Sequence, residues 1–574
     1  MSTTPHRHLS SSSSLENLRR QAKRWLKEIV SGDTEAIARF NARLPGRAEP
    51  KLREVQHALA LDYGFANWAA LKQALADQAL AQRTPAERIA EFLEHSVVRY
   101  GMRPRAAKWE PGYEDRPSRW ARAARVLERF PDIANDSIHT AVAAGDAVAV
   151  QRFLARDPKL ANTPSPFDNW PPLLRLASVR MSIEAARTNG VAIARLLIDA
   201  GADAALYWTD GKNHFTLITC AIGHGEGGQP EHPQAVEFVR LLLDRGAEPF
   251  DGQVLYNTSL GADDTFWLDL LYAESEKRGE TAKWLTQPRE LGSPALDYLL
   301  GNAVNQRHAK RVEWLLARGA KAGTVNAYSK QAVMKLALLA GAADIADNLA
   351  RHGAPQPQLS GLEAFQAAVM RGDIGEAKRL LGGHPDYLAH PGPMNAAIGQ
   401  DRIDLVEALL GLGMSVDVHG KDGMRPLHQA AGEGRVAIAK LLIARGAEID
   451  PFENRFGGVP LSWANHNRQP EALALLAPLS RNIRALCFSC SLDRLRELFT
   501  AEPELVNQPI RPNEPPIFCL PNDDDELAVE VAELLLSFGA SVHVRNDAGL
   551  TPAESARKEG LEEAAALLEE AASG

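Results

Sequence analysis

The residues best suited to chemistry in this 574-residue sequence lie in one short segment, residues 223–233, which reads GHGEGGQPEHP. Its two His, two Glu and one Gln side chains supply hydrogen-bond donors and acceptors, and its four glycines allow close approach of another backbone. A metal ion could use such side chains, but no helix fixes them at the spacing of a metal site. We therefore interpret the segment as a polar surface loop and expect neither a metal nor another cofactor.

Neighbouring segments add amide and aromatic groups. Residues 251–258 read DGQVLYNT, and Tyr207 and Trp208 follow a Gly-Ala turn, where a projecting hairpin is expected. Exposed aromatic side chains on such a hairpin would anchor a partner. The candidate binding residues are therefore Tyr207, Trp208, His224, Glu226, Gln229, His232, Gln253, Tyr256 and Asn257.

Motifs for catalysis are weak in this sequence. There is no phosphate-binding glycine loop, no nucleophile elbow and no zinc-protease motif. Cys487 and Cys490 have the spacing of a redox pair, but they fall inside a predicted helix, which favours small buried cysteines. We predict no catalytic residue, and a non-enzymatic role is favoured over an enzyme.

A repeated unit must position the candidate residues. The unit has two short helices, the second ending in Leu-Leu, followed by Gly-Ala and a polar hairpin. The copies 241–248, 441–448 and 534–540 read LLLDRGAE, LLIARGAE and LLLSFGA. Between neighbouring copies the glycine recurs after 34 residues, from Gly319 to Gly353, or 33 residues, from Gly413 to Gly446, which predicts a solenoid of stacked helix pairs. About 13 units are predicted, starting near Asp136, Pro171, Phe215, Val254, Pro294, Lys330, Leu362, Pro393, Arg425, Val459, Asn482, Pro515 and Thr551.

The first helix of several units opens with a tetrapeptide that resembles the Thr-Pro-Leu-His of the ankyrin-repeat family. Residues 425–428, 459–462 and 551–554 read RPLH, VPLS and TPAE. The resemblance covers about three quarters of the chain. It implies an all-α solenoid of helix–turn–helix and β-hairpin units, in which His428 and His139 have structural roles at the hairpin-to-helix corners.

The polar loop and the segment after it also resemble a group of long bacterial ankyrin proteins. The shared pattern combines a Gly-Glu-Gly-Gly…Gln-Pro-x-His-Pro loop with a following Asp-Gly-Gln-x-Leu-Tyr-Asn stretch. The matching residues are Glu226, Gly227, Gly228, Gln229, Pro230, His232, Pro233, Asp251, Gln253, Tyr256 and Asn257. This resemblance marks a place in the chain and implies no particular reaction.

Two insertions interrupt the repeat near this loop. Ala430 precedes Leu441 by 11 residues, whereas the corresponding spacing in the second and third units is 20 residues. Both insertions fall between the two helices of a unit, so they are expected to lie side by side on one face. A site built from residues 170–305 is therefore the alternative to a general binding surface.

The region before the array is predicted to have three parts. Residues 1–12 form a disordered polar tail, residues 13–80 a bundle of four short helices, and residues 81–135 transitional helices or a degenerate first repeat. The array then occupies residues 136–574. Ser13 and Glu16 have the spacing of a capping box at the start of the first helix, and Trp25, Phe40, Phe65 and Trp68 are the expected core.

Composition limits the classes of function. Residues 1–135 carry 23 Lys and Arg against 16 Asp and Glu, whereas the remainder carries 41 against 57. This basic excess is small for a nucleic-acid surface, so nucleic acid is not an expected partner. No apolar run approaches the roughly 18 residues of a membrane helix, and four cysteines fit a reducing cytoplasm.

These observations favour one function and leave one alternative. We predict a cytoplasmic, non-catalytic binding scaffold that recognises a protein or peptide through its concave face, hairpins and inter-helix loops. The alternative is a small-molecule-binding protein or enzyme whose site is built from residues 170–305.

Overall fold

The protein is described by a computed structural model that covers residues 9, 14–46, 50, 52–100, 115, 117–209, 214–288, 291–522 and 525–573. Helices account for 61% of it and strands for 3%, as predicted for an all-α repeat protein. It divides into two compact units, residues 1–295 and 296–574. The predicted tail, residues 1–12, lies outside the described residues except for Leu9.

The N-terminal helices of the first unit are α1 (Leu15–Val30), α2 (Thr34–Arg43), α3 (Leu52–Asp62) and α4 (Trp68–Gln82). Trp25 and Phe40 are buried at their centre, and Phe65 and Trp68 are partly buried against them. The predicted cap of α1 is wrong by one residue. Ser14 caps the helix by accepting from the Asn17 backbone N–H, while Ser13 lies outside the described residues. Adjacent serines present equivalent hydroxyls, so sequence spacing alone does not choose between them.

The rest of the first unit contains helix pairs and one short hairpin. Its helices are α5 (Pro85–His95), α6 (Pro117–Arg129), α7 (Ile138–Ala144), α8 (Ala147–Arg156), α9 (Pro172–Ser178), α10 (Glu184–Thr188), α11 (Gly190–Asp199), α12 (Leu217–Ile222), α13 (Ala235–Asp244), α14 (Gly252–Ser259) and α15 (Phe266–Arg278). Strands β1 (Tyr207–Thr209) and β2 (His214–Thr216) pair antiparallel, with Trp208 opposite Phe215. Short 3-10 helices occupy Pro131–Asn135, Pro158–Asn162 and Thr281–Leu285. The helices α7, α9, α12 and α14 form one packed row, and α8, α11 and α13 form a second.

The second unit continues the same arrangement. Its helices are α16 (Ala295–Asn305), α17 (Ala309–Ala317), α18 (Val333–Leu339), α19 (Ala343–Arg351), α20 (Gly361–Met370), α21 (Ile374–Leu381), α22 (Gly392–Gly399), α23 (Ile403–Gly411), α24 (Pro426–Gly432), α25 (Val436–Ala444), α26 (Pro460–His466), α27 (Pro470–Leu476), α28 (Ile483–Phe488), α29 (Leu492–Ala501), α30 (Asp525–Ser537), α31 (Pro552–Lys558) and α32 (Glu562–Ser573). Short 3-10 helices occupy Pro385–Ala389, Pro503–Val506 and Pro516–Phe518. Neighbouring first helices pack in a row from α18 to α28, and one hydrophobic cluster extends from Phe365 to Leu568.

Local sequence explains where the helices begin and end. Pro426 and Pro460 occupy first helical turns, where a missing N–H costs no hydrogen bond. Gly446, the glycine of a Gly-Ala pair, has φ of +87°, a left-handed conformation that follows a helix end at low cost only for glycine. His428 is fully buried, and its Nδ1 accepts from the Arg425 backbone N–H. His139, its predicted counterpart, is 4% exposed.

Helices begin near the predicted unit starts, while the number of repeats stays a prediction. Among the residues described, no helix is both long enough and apolar enough to cross a membrane.

Candidate functional site

The two insertions lie next to each other in the first unit and are joined by Arg180. Its Nε donates to the Pro230 carbonyl at 2.7 Å, and its Nη2 donates to the Cys220 carbonyl at 2.5 Å. Its Nη1 donates to the carbonyls of Ala177 and Val179 at 3.0 and 2.9 Å. Arg180 is 6% exposed, and burial lowers the pKa of its guanidinium. The side chain therefore connects the end of α9, the end of α12 and the polar loop.

The transitional segment before α6 contacts the same place. Val97 and Val179 form an antiparallel bridge, and the Val98 backbone N–H donates to the Ser178 carbonyl at 2.8 Å. Tyr100 stacks on Phe215 at 5.0 Å, and its hydroxyl donates to a backbone carbonyl of α12. The insertions are thus supported by residues that lie far away in sequence.

Asn257 on α14 holds the polar loop from the other side. Its Nδ2 donates to the Gly223 carbonyl at 3.0 Å, and its Oδ1 accepts from Gln253 Nε2 at 2.9 Å. The Gly225 backbone N–H donates to the Asn257 carbonyl at 3.2 Å. Asn257 is 3% exposed and Gln253 is 9% exposed. Two of the candidate binding residues therefore have their partners inside the protein.

His232 is also buried, at 2% exposure. Its Nδ1 accepts from the Gln234 backbone N–H at 3.1 Å, and its ring lies against Gly190 at the start of α11. A Cβ at position 190 would be 2.7 Å from His232 Cε1, so this close approach requires glycine. Burial, with a smaller contribution from Arg180, lowers the pKa of His232 to about 3. The ring is therefore neutral and part of the packing between the two insertions.

The outward side of the loop carries the remaining candidates. Tyr256 donates from its hydroxyl to Glu226 Oε1 at 2.6 Å, and Trp267 Nε1 donates to Glu231 Oε1 at 2.8 Å. His224 Nε2 lies 3.4 Å from the same Glu231 oxygen. Glu226 and Glu231 are exposed. Within the described ranges, no group of three or more His, Cys, Asp and Glu could hold a metal ion.

Gln229 closes the loop. Its carbonyl accepts from the His224 backbone N–H at 2.6 Å, and its half-buried side chain lies against Gly227. The structure thus brings His224, Glu226 and Tyr256 together on one surface. It separates them from His232 and Asn257, which face the interior.

The hairpin candidates occupy a different surface. Tyr207 is 53% exposed and stacks on His214 with ring centroids 4.9 Å apart. Trp208 is half-buried, with its ring centroid 6.5 Å from that of Trp170 and 5.7 Å from that of Phe215. Tyr207 is therefore the more accessible aromatic, and Trp208 forms part of its support.

A buried ionic cluster supports Trp170 in turn. Asp168 accepts from Arg175 Nη2 through both carboxylate oxygens at 2.7 Å and from Arg99 Nη2 at 3.0 Å. Arg175 is fully buried and Arg99 is 4% exposed. Burial alone raises the pKa of the Asp168 carboxyl, but the two arginines outweigh it and hold that pKa below its ordinary value. The carboxylate is therefore charged and pairs with two buried guanidinium groups, and Glu94 lies 3.6 Å from Arg99 as a second negative charge.

Sequence reasoning missed three exposed aromatic residues in the second unit. Tyr328 is 66% exposed, Phe452 64% and Phe456 63%, and each lies in a connector between repeats. Among the described residues, only Tyr207 and Phe266 are comparable exposed aromatics. An available signal was the position of these three residues between one Gly-Ala pair and the next helix start.

Acidification provides a test of the role of His232. We expect the loop to be stable above pH 6.5 and to loosen as the pH falls, because an unfolded histidine binds a proton near pH 6.5 but the buried ring resists it. His232→Asn keeps an acceptor for the Gln234 N–H and should lower this pH dependence by about 1.4 kcal/mol per pH unit. Hydrogen exchange of residues 223–238 between pH 4 and 7, corrected for intrinsic rates, measures how the opening free energy of the loop depends on pH. An unchanged slope in the variant would rule out His232 as the titrating group, and His384→Asn is the exposed control.

Comparison with known proteins identifies the repeat. Residues 393–487 match a family model described as ankyrin repeats (3 copies). A putative ankyrin repeat protein, YahD of Escherichia coli, is 26% identical over 185 residues, which are 30% of this chain and 92% of YahD. The potassium channel GORK of Arabidopsis thaliana is 30% identical over 148 residues, 24% of this chain, and the match spans 18% of the channel. An ankyrin repeat domain from Acinetobacter baumannii of known structure is 20% identical with a TM-score of 0.26, covering 31% of this chain and 97% of that domain.

Proposed function

Since this chain is an ankyrin-repeat protein, and ankyrin repeats are general protein–protein interaction modules, we propose that it is a non-catalytic binding scaffold. The proposed partner is a protein or peptide, recognised through the concave face, the hairpins and the inter-helix loops. A stack of repeats offers a long continuous surface for such recognition.

One observation supports the hairpins as the contact points. Of the five exposed aromatic side chains among the described residues, four lie on connectors between repeats: Tyr207, Tyr328, Phe452 and Phe456. Exposing such side chains to water does not stabilise the fold, whereas aromatic residues dominate the binding energy of protein interfaces. Their concentration on one structural feature, in both units, favours the connectors as contact points for a partner.

The small-molecule or enzyme alternative, with a site in residues 170–305, comes second. His232, Gln253 and Asn257 already have hydrogen-bond partners within the protein. The remaining candidates, His224, Glu226 and Gln229 of the loop and Tyr256 of α14, are polar surface groups. Such groups suit an additional contact to a protein partner. We also propose that the protein is cytoplasmic and bacterial, since its four cysteines are free and YahD, a relative, is bacterial.

The predicted domain division is kept as part of this proposal. Residues 13–80 would form a separate helical domain, residues 81–135 a transition with a degenerate first repeat, and residues 136–574 the array. Hydrophobic packing around Trp25 and Phe40 supports the first boundary, and the bridge between Val97 and Val179 ties the transition to the array.

Loss of the hairpin aromatics is expected to abolish at least one interaction. The test compares the parent with a variant in which Tyr207, Tyr328, Phe452 and Phe456 are all changed to Ser, using affinity capture and cross-linking mass spectrometry. Removing an interface anchor typically costs about 2 kcal/mol or more, about 30-fold in affinity. Phe266→Ser, an exposed aromatic on a helix, is the matched control.

The outcome separates the two functions. An identical partner set in the parent and the quadruple variant would contradict recognition through the hairpins. A parent that captures no protein but co-purifies with a small molecule would favour the alternative.

A further inference from the structure

Two of the exposed aromatics share one connector in the second unit, between α25 and α26. Phe452 and Phe456 are 64% and 63% exposed. The ring of Phe456 meets that of Trp463 edge to face at 6.0 Å, and the Arg455 guanidinium lies 4.9 Å from the Phe456 centroid. Phe452, Arg455, Phe456 and Trp463, which we call the Phe452–Phe456 patch, place two exposed aromatic rings and a cation on one connector and the helix that follows it.

The connector is held rigid from within by Glu453. Its carboxylate accepts from the backbone N–H groups of Arg455, Phe456 and Gly458 at 2.6 to 3.1 Å. Glu453 is 3% exposed, although its neighbours on both sides are exposed. The buried carboxylate therefore fixes the turn that carries both phenylalanines.

The preceding repeat braces the same connector. His428 Nε2 donates to the carbonyls of Pro451 and Gly458 at 3.1 and 3.3 Å. Asn454 donates from its backbone N–H to the Asp422 carbonyl at 2.6 Å and from Nδ2 to the Lys421 carbonyl at 3.0 Å. Aromatic side chains on a connector fixed in this way lose little conformational entropy on binding, which favours their use as anchors.

Four basic side chains belong to this connector or to nearby elements of the second unit, and carboxylates are also present among them, since Glu514 interacts with Arg484. Lys421, Arg455, Arg484 and Arg511 form no ion pair with a carboxylate in the part of the chain that the structure describes. Nearby arginines of the same unit differ, since Arg425 pairs with Asp417 and Glu448, and Arg481 pairs with Glu502 at 2.6 Å. The full chain has a net charge of −9, so this cationic surface is opposite in sign to the whole.

The next repeat carries a second pair of a cation and an aromatic ring. Asn465 on α26 donates from Nδ2 to the Phe488 carbonyl at 3.3 Å, and the Arg484 guanidinium lies 5.1 Å from the Phe488 ring centroid. A cation beside an aromatic ring thus occurs twice on adjacent repeats. An extended ligand could contact both.

We propose that the Phe452–Phe456 patch binds an extended acidic segment of another protein, with a large apolar side chain of that segment packed against the two phenylalanines. This inference rests on the proposed scaffold function and names the chemistry of its partner. Asp422 and Glu448 are exposed beside the basic groups. A uniform polyphosphate would meet these carboxylates, whereas a peptide can place neutral residues opposite them, which favours a protein over a nucleic acid.

Selection with random peptides tests the proposal. The full chain is immobilised and used to select phage-displayed random 16-residue peptides at low salt, and the most enriched peptide is then labelled for fluorescence anisotropy. We expect enriched peptides to be acidic with at least one large apolar residue. Phe452→Ala with Phe456→Ala should weaken that peptide by about 30-fold or more.

Further variants separate charge from packing and from folding. Phe452→Ala alone removes a side chain with no ring contact to Trp463 and should still weaken binding severalfold. Arg455→Glu with Arg484→Glu should weaken it by about tenfold and reduce its salt dependence. Phe266→Ala, in the first unit, should stay within about twofold of the parent.

The possible results are distinguishable. Acidic peptides that lose affinity in the patch variants support the proposal. Peptides that bind the parent and all variants equally would overturn it while leaving the scaffold function intact, as would tighter binding of a labelled 20-nucleotide single-stranded RNA that depends on the same residues. Failure to select any peptide, together with an empty affinity capture, would overturn both.

Discussion

Replacement of Arg180 by methionine is expected to destabilise the first unit locally by about 4 kcal/mol. The guanidinium donates to four backbone carbonyls in three segments, those of Ala177, Val179, Cys220 and Pro230. Methionine fills similar space but donates nothing, so these buried acceptors lose a charged partner, and hydrogen bonds to charged groups contribute about 1.5–3 kcal/mol each. The polar loop should then separate from the end of α12.

Hydrogen exchange is the suitable measurement, since long repeat arrays need not unfold in one transition. Amides of residues 217–235 should exchange much faster in Arg180→Met than in the parent. Arg187→Met, an exposed arginine of the same insertion, is the control and should change little. Equal protection in Arg180→Met and the parent would show that the loop does not depend on this side chain.

Asp168→Asn is expected to have the other large effect, about 3–5 kcal/mol. This carboxylate pairs with Arg175 and Arg99, which are 0% and 4% exposed. Removing its charge leaves the buried Arg175 guanidinium without its carboxylate partner and Arg99 with Glu94 at 3.6 Å, which costs far more than losing an exposed ion pair. Trp170 rests against both arginines, at 5.2 and 6.0 Å, so the support of the β1–β2 hairpin should weaken as well.

A matched control is available in the same unit. Asp199 pairs with Arg245 at 2.7 Å, but its side chain is 64% exposed, so Asp199→Asn should cost about 0–1 kcal/mol. Hydrogen exchange of residues 165–178 and 207–209, measured at increasing urea concentrations, compares the loss of stability in the two variants. Similar losses of stability in both variants would contradict the assignment of Asp168 as the buried partner of two arginines. The parent should also lose this contribution as the pH falls through the depressed pKa of Asp168, because a carboxyl with a lowered folded pKa stabilises only above it.

The sequence indicated where the candidate binding residues lie in the chain, but not which of their side chains face the surface. The composition of the loop and its departure from the repeat pattern pointed to residues 223–257. In the structure the loop and α14, which lie at the two ends of this range, are joined by hydrogen bonds. Asn257 and His232 nevertheless turn inward, whereas Glu226 and Tyr256 meet on the surface. Residue type does not distinguish these cases, because a polar side chain in a loop can be satisfied equally well by water or by a buried carbonyl.

Aromatic residues illustrate the same limit. Trp267 and Trp314 occupy leucine-like helical positions and are buried, at 5% and 7% exposure, which helical periodicity alone would predict. Phe452 and Phe456 lie in a connector, where periodicity carries no information. Their exposure depends on the turn that Glu453 closes and on His428 in the neighbouring repeat.

The sequence by itself determined the repeat, its period and the helix starts and ends, because these depend on local rules. Proline in a first turn, leucines at helical spacing and a left-handed glycine such as Gly446 act within a few residues. Only the tertiary structure decided which polar groups form hydrogen bonds in the interior, as Arg180 and Asn257 do, and which aromatic side chains remain on the surface. Those outcomes depend on contacts between residues that stacking brings together from distant positions, and no local pattern encodes them.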